Sequence, residues 1–203
     1  GNYFELSKFY NNDYSQNYKK INLQDYISSI IKKNQVDRDK SKKINKIINL
    51  IMEKYKTTLI PVEDSHGDLI SFNTIKKLNK NYVFDLEFFQ KERSLLYDFF
   101  HWHITPIMFK SLEYNNKFII NIFLLFFVKI LYLQFKIKHK KSTVDNKHLF
   151  QVLLILFLLE RHIFLKFQNS MKQIEELISR DEKKLGINTS DLCLNLINKI
   201  LKK

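Results

Sequence analysis

The sequence contains no alanine, and among its 203 residues there are only three glycines, two prolines, four arginines, one cysteine and one tryptophan. Each scarcity closes something off. A lone Cys193 allows no intramolecular disulfide, so cysteine usage says nothing about the redox compartment. Arginine is the usual base reader and bidentate phosphate clamp, and its near absence weighs against nucleic acid as a partner. The opening residues Gly1-Asn2-Tyr3-Phe4-Glu5 lack a charged region followed by an apolar one, so no signal peptide is read here, while a cleaved one stays open.

What replaces the missing residues is thirty lysines, nineteen asparagines and twenty-five isoleucines, the usage of a very AT-rich coding genome. The formal charge of +13 is therefore almost wholly lysine, which codon bias supplies without selection for a partner. A field of this size favours nucleic acid or an anionic membrane surface without choosing between them. The paired lysines (Lys32-Lys33, Lys42-Lys43, Lys76-Lys77, Lys140-Lys141 and Lys183-Lys184) are scattered rather than gathered on one element.

A chain of this length can bury one core without metal or disulfide staples. Residues 1–20 are polar and show no sustained period, so they are read as a tail, and 21–203 as a single helical-bundle domain. Ile27, Ile30 and Ile31, then Ile44, Ile47, Ile48, Ile51, Met52 and Tyr55, follow a helical period that suggests one long helix, bent near Asn34–Ser41. Residues 57–71, with Pro61 and Gly67, read as a loop, and a helical period is taken to resume near Asn73 and to end or kink at Pro106. Two segments, Phe118–Ile137 and Leu149–Phe167, are apolar on all faces and predict buried helices packed as an antiparallel hairpin. The second is expected to continue towards a stop at Gly186, with Ser190 capping a short last helix. No alternation of period two is long enough to argue a sheet, so the expected fold is all-α, a bundle of about four main helices around the hairpin.

Chemistry-bearing clusters are few. His101-Trp102-His103 resembles a metal pair, but residues two apart on a helix point roughly 200° from each other and cannot chelate one ion. Glu63, Asp64, His66 and Asp68 lack the spacing of a calcium loop and read as a solvated turn. Asn188-Thr189-Ser190 matches a glycosylation acceptor, a motif common by chance in so asparagine-rich a chain. Glu160-Arg161-His162 interrupts the most apolar helix; either Lys129 faces Glu160 as a buried ion pair or both reach the surface. No catalytic residue, metal site or cofactor is read from the sequence.

The hairpin is the feature that bears on function. Phe118–Phe135 spans about 27 Å as a helix, close to the roughly 30 Å hydrocarbon core of a bilayer. Its interrupting charges argue against constitutive insertion. The residues expected to enter a membrane are Phe118, Ile122, Phe123, Leu125, Phe126 and Phe127 of the first arm and Leu153, Leu154, Phe157 and Leu158 of the second. Lys138, Lys140 and Lys141 of the connecting loop would meet anionic headgroups. The competing reading makes the hairpin the plain core of a large helical domain.

The alanine-free Lys/Asn/Ile/Phe composition, the absence of disulfides and the hairpin over Leu23–Lys203 resemble the four-helix-bundle proteins that malaria sporozoites secrete to traverse host cells. That resemblance implies secretion from an apical organelle, action at host membranes and cooperation with a pore-forming protein. The function expected is thus a non-enzymatic, membrane-acting bundle whose partners are membrane lipids, a protein, or both. The alternatives are a scaffold subunit that meets a protein partner through apolar helix faces and, third, a lysine-rich nucleic-acid-binding module.

Overall fold

The computed structural model describes residues 4–5, 18–36, 41–69, 73–113, 117–138, 146–168 and 180–202. In chain order they form β1 (Phe4–Glu5), β2 (Lys19–Asn22), α1 (Leu23–Lys33), α2 (Lys42–Tyr55), β3 (Leu59–Ser65), β4 (Thr74–Lys77), β5 (Lys80–Val83), β6 (Gln90–Ser94), α3 (Tyr97–Glu113), α4 (Lys117–Lys138), α5 (Asn146–Gln168) and α6 (Arg180–Leu201). The strands make two antiparallel sheets, β1-β5-β4 and β2-β3-β6. The fold is mixed α/β, which corrects the all-α expectation.

The strands escaped the period-two test for physical reasons. β4 is exposed or half-exposed along its whole length, so it has no buried face to alternate against. In β3 the buried residues Ile60, Pro61 and Val62 are contiguous, as in a strand covered on both sides. Pro61 is tolerated because the β6 ladder begins one residue later, at Val62–Ser94, while the Pro61 carbonyl accepts the Leu95 N–H at 2.9 Å. β4 and β5 are joined by Leu78 and Asn79, both at positive φ (48° and 59°), the geometry of a two-residue I′ hairpin. A leucine there strains the backbone by about 1–2 kcal/mol.

The helical stripes are real but cut differently. The long first helix is two, because Asn34 ends α1 and Gln35 takes φ 49°. Ile44, Ile47, Ile48, Ile51 and Tyr55 are the buried face of α2. α3 runs through Pro106, so of the end or kink expected there the end does not occur. α6 runs through Gly186 and Ser190, whose hydroxyl lies 2.6 Å from His162 Nδ1 of α5 instead of capping a helix.

The core gathers α1, α2, the inner face of the second sheet, α3, the inner side of α4 with Leu124 and Leu131, α5 and α6. α5 is its axis: Val152 to Ile163 are all buried. Its main neighbour is α6, and α4 meets α5 over a smaller area. A satellite cluster of Leu69, Val83, Leu86 and Trp102 ties the first sheet to α3.

Candidate functional site

Glu160 lies amid the wholly buried run of α5 and is itself 4% exposed. A carboxylate cannot stay charged there without partners. Arg93 of β6 donates Nε to Glu160 Oε1 at 2.8 Å, and the Tyr26 hydroxyl of α1 donates to Oε2 at 3.3 Å. The Tyr26 oxygen accepts the Ser94 N–H at 2.7 Å, and the Arg93 guanidinium lies 4.0 Å from the centre of the Tyr97 ring. One buried ion pair thus joins α1, β6, α3 and α5. Burial pushes the Tyr97 phenol up to about 12 and raises Tyr26 well above its ordinary value, so both stay protonated at neutral pH.

The turn after β3 completes this centre. Asp98, in the first turn of α3, accepts the N–H groups of His66 at 2.6 Å and Gly67 at 2.9 Å. Gly67 has φ +85°, and a β-carbon there would run into the Phe88 carbonyl and Arg93 Nη1. Glu63 accepts the Leu96 N–H at 3.1 Å; burial, with the Asp98 and Asp64 charges beside it, pushes its carboxyl up to about 7. His101 is buried, with Nδ1 3.3 Å from the Leu69 carbonyl oxygen and Nε2 3.4 Å from Asp68 Oδ1. Burial and the Arg161 and Arg93 charges hold it neutral. At 3.4 Å, and without hydrogen-bond alignment, Asp68 does not offset them.

The expected solvated turn is therefore corrected: Ser65, His66 and Gly67 are buried and only Asp64 is exposed. Chemically the centre is a sealed network of proton-bearing groups. Ser190 and His162 are within hydrogen-bond reach of each other and are 4% and 2% exposed between α5 and α6. Burial pushes the Cys193 thiol up to about 12, far from thiolate reactivity. Among the described residues no three His, Cys, Asp or Glu side chains converge as metal ligands.

The arginines were the overlooked signal. Where lysine is the default cation, Arg93 and Arg161 are both buried, and Arg161 lies 5.3 Å from the Phe164 ring. The planar guanidinium is more weakly hydrated than an ammonium and suits such positions.

Of the membrane candidates, Leu153, Leu154, Phe157 and Leu158 are at most 1% exposed and form the middle of the core. Lys147–Leu165, the only described stretch long and apolar enough to cross a bilayer, is mostly buried. The first arm differs. Leu124 and Leu131 face inward, Leu125 and Phe127 are half-buried, and Phe126, Ile130 and Leu133 are 60%, 36% and 55% exposed. Spaced i, i+4, i+7, these three form one outer stripe of α4, flanked by exposed Lys129 and Lys136. Lys129 is on the surface and Glu160 is held by Arg93, so neither expected arrangement of that pair occurs: Glu160 is buried and bonded to Arg93 of β6 and Tyr26 of α1. Phe118, Ile122, Phe123 and Lys138 lie on α4 with side chains outside the description, and Lys140 and Lys141 lie outside the described residues.

No protein-family model, curated protein or solved structure matches the chain.

Proposed function

We propose that the protein is a non-enzymatic factor that docks on anionic membrane surfaces through the outer face of α4, in a secreted or membrane-associated setting like that of the sporozoite cell-traversal proteins. The observation that carries this reading is the exposed stripe Phe126, Ile130 and Leu133 with Lys129 and Lys136 beside it. Apolar side chains so placed enter the headgroup boundary while lysines meet the phosphates, and the net charge of +13 draws the molecule there. Docking in this way leaves α5 in the core. Inserting the hairpin would instead require the core to open.

The test is co-sedimentation with vesicles of phosphatidylcholine alone and with added phosphatidylserine, at low and physiological salt, with dye leakage followed in parallel. The wild type is expected to pellet with the anionic vesicles at both salt levels. Replacing Phe126, Ile130 and Leu133 together by serine should weaken this roughly ten-fold or more, since each buried side chain contributes a kcal/mol or more. Absence of pelleting at physiological salt would sink the reading; concentration-dependent self-association or retention by a protein partner without lipid would return the stripe to the scaffold alternative.

A further inference from the structure

We infer that Arg161 is the cationic centre of a site for a small phosphate-type oxyanion, set where α3, α5 and α6 meet. The side chain is 7% exposed, and its guanidinium lies 5.3 Å from the centre of the Phe164 ring, with no hydrogen bond or ion pair among the described residues. A ring contact uses none of the five N–H donors of a guanidinium. Its charge acts on His101 and Tyr97 of α3 and on Cys193 of α6, which places it at that junction. A buried cation is costly unless an anion and hydrogen-bond acceptors accompany it. Arg93 finds both in Glu160. Arg161, the next residue along α5, has no comparable partner to draw on. Among the described residues the buried or half-buried acids are Glu160, Asp98, Glu63 and Asp68, and each is engaged elsewhere. Glu160 holds Arg93 and Tyr26, Asp98 accepts the His66 and Gly67 N–H groups, Glu63 accepts the Leu96 N–H, and Asp68 accepts the Asn73 amide at 3.1 Å. Water satisfies N–H donors but leaves the charge; an oxyanion answers both. The planar fork of arginine matches such an anion at two points, which a lysine does not, and this chain has only four arginines beside thirty lysines. At 7% exposure the site suits a small soluble anion rather than a headgroup fixed in a vesicle surface, so the inference is independent of the α4 reading.

The experiment titrates the full chain with inorganic phosphate at pH 7, chloride being lowered to hold ionic strength constant, and follows thermal unfolding and the heat of binding. The wild-type midpoint is expected to rise and saturate, with a one-site heat of binding. Arg161→Met should lose both responses while its circular dichroism spectrum stays native. Arg161→Lys, which keeps the charge without the fork, should bind phosphate roughly ten-fold or more weakly, and carries the comparison if the methionine variant does not fold. Lys46→Gln removes one exposed positive charge on α2 and should keep the full response. An equal rise in the wild type and Arg161→Met would overturn the inference, the anion then acting on the surface at large. A wild type with neither a saturable rise nor a heat of binding would overturn it too and leave Arg161 an unpaired structural cation. Phosphatidic acid vesicles form the last arm: stabilisation by them with none by free phosphate would overturn the small-anion assignment in favour of a lipid headgroup.

Discussion

Arg93 and Glu160 are 67 residues apart, yet each makes the other tolerable inside the core. Glu160→Met strands a buried guanidinium and is expected to cost about 3–5 kcal/mol, read from urea unfolding midpoints. The Arg93→Met/Glu160→Met double variant should recover most of that loss, because no buried charge is then left alone. If the double variant is as unstable as the sum of the two single ones, the pair is not the coupled unit described here. Glu63 contributes to the pH dependence in the same sense as Asp98, whose carboxyl is also raised by burial. The folded Glu63 carboxyl titrates near 7 against an ordinary 4.5, so between those values the folded state binds more protons than the unfolded. Its contribution is therefore whole below about pH 4.5, falls as pH rises, and is gone above about 7. Glu63→Gln keeps an acceptor for the Leu96 N–H and should raise stability at pH 8 by up to roughly 3 kcal/mol, with little change at pH 4.5. Thermal melts at the two pH values check this; an equal shift at both would count against it. His101, held neutral by burial, acts in the opposite sense, and its contribution is lost as pH falls below the ordinary histidine value. It is present in both proteins and cancels in the comparison.

Within single elements, backbone chemistry and tertiary packing disagree most clearly in α3. Pro106 is exposed and lies inside the helix, where it removes the bond to the Trp102 carbonyl. The helix persists because Phe100, Ile104, Thr105 and Met108 are buried on its inner side. Pro106→Ala should therefore stabilise the protein, by about 1–3 kcal/mol, without changing the fold; unfolding midpoints with a far-ultraviolet circular dichroism control check it. α2 was legible in advance, since a periodic run of isoleucines on a single face has one cheap burial. β4 and β5 were not. Their sequences, Thr-Ile-Lys-Lys and Lys-Asn-Tyr-Val, bury only Val83, and the turn between them lacks the Asn-Gly pair that marks an I′ hairpin. The buried turn after β3 was missed for a related reason: its acidic residues and histidine look solvated until Asp98, some thirty residues on, supplies its acceptors.

For the whole molecule, two nearly equivalent apolar segments receive opposite fates. α5 becomes the axis of the core, while α4 covers it and leaves one stripe outside. If α4 is the docking face, the protein binds lipid as a folded body, and vesicle association should depend on the stripe rather than on unfolding; pelleting without leakage is the matching result of the vesicle experiment. Local periodicity and composition determined the helical segments α2, α4 and α5 and the basic field, because these follow from neighbouring residues alone. Only the tertiary structure decided that short polar segments pair as sheets, that Glu160 meets Arg93 rather than Lys129, and which apolar helix is core and which is surface. Those outcomes depend on which surfaces meet across long stretches of chain, and a strand or a buried charge is stabilised by partners that its own neighbourhood does not contain.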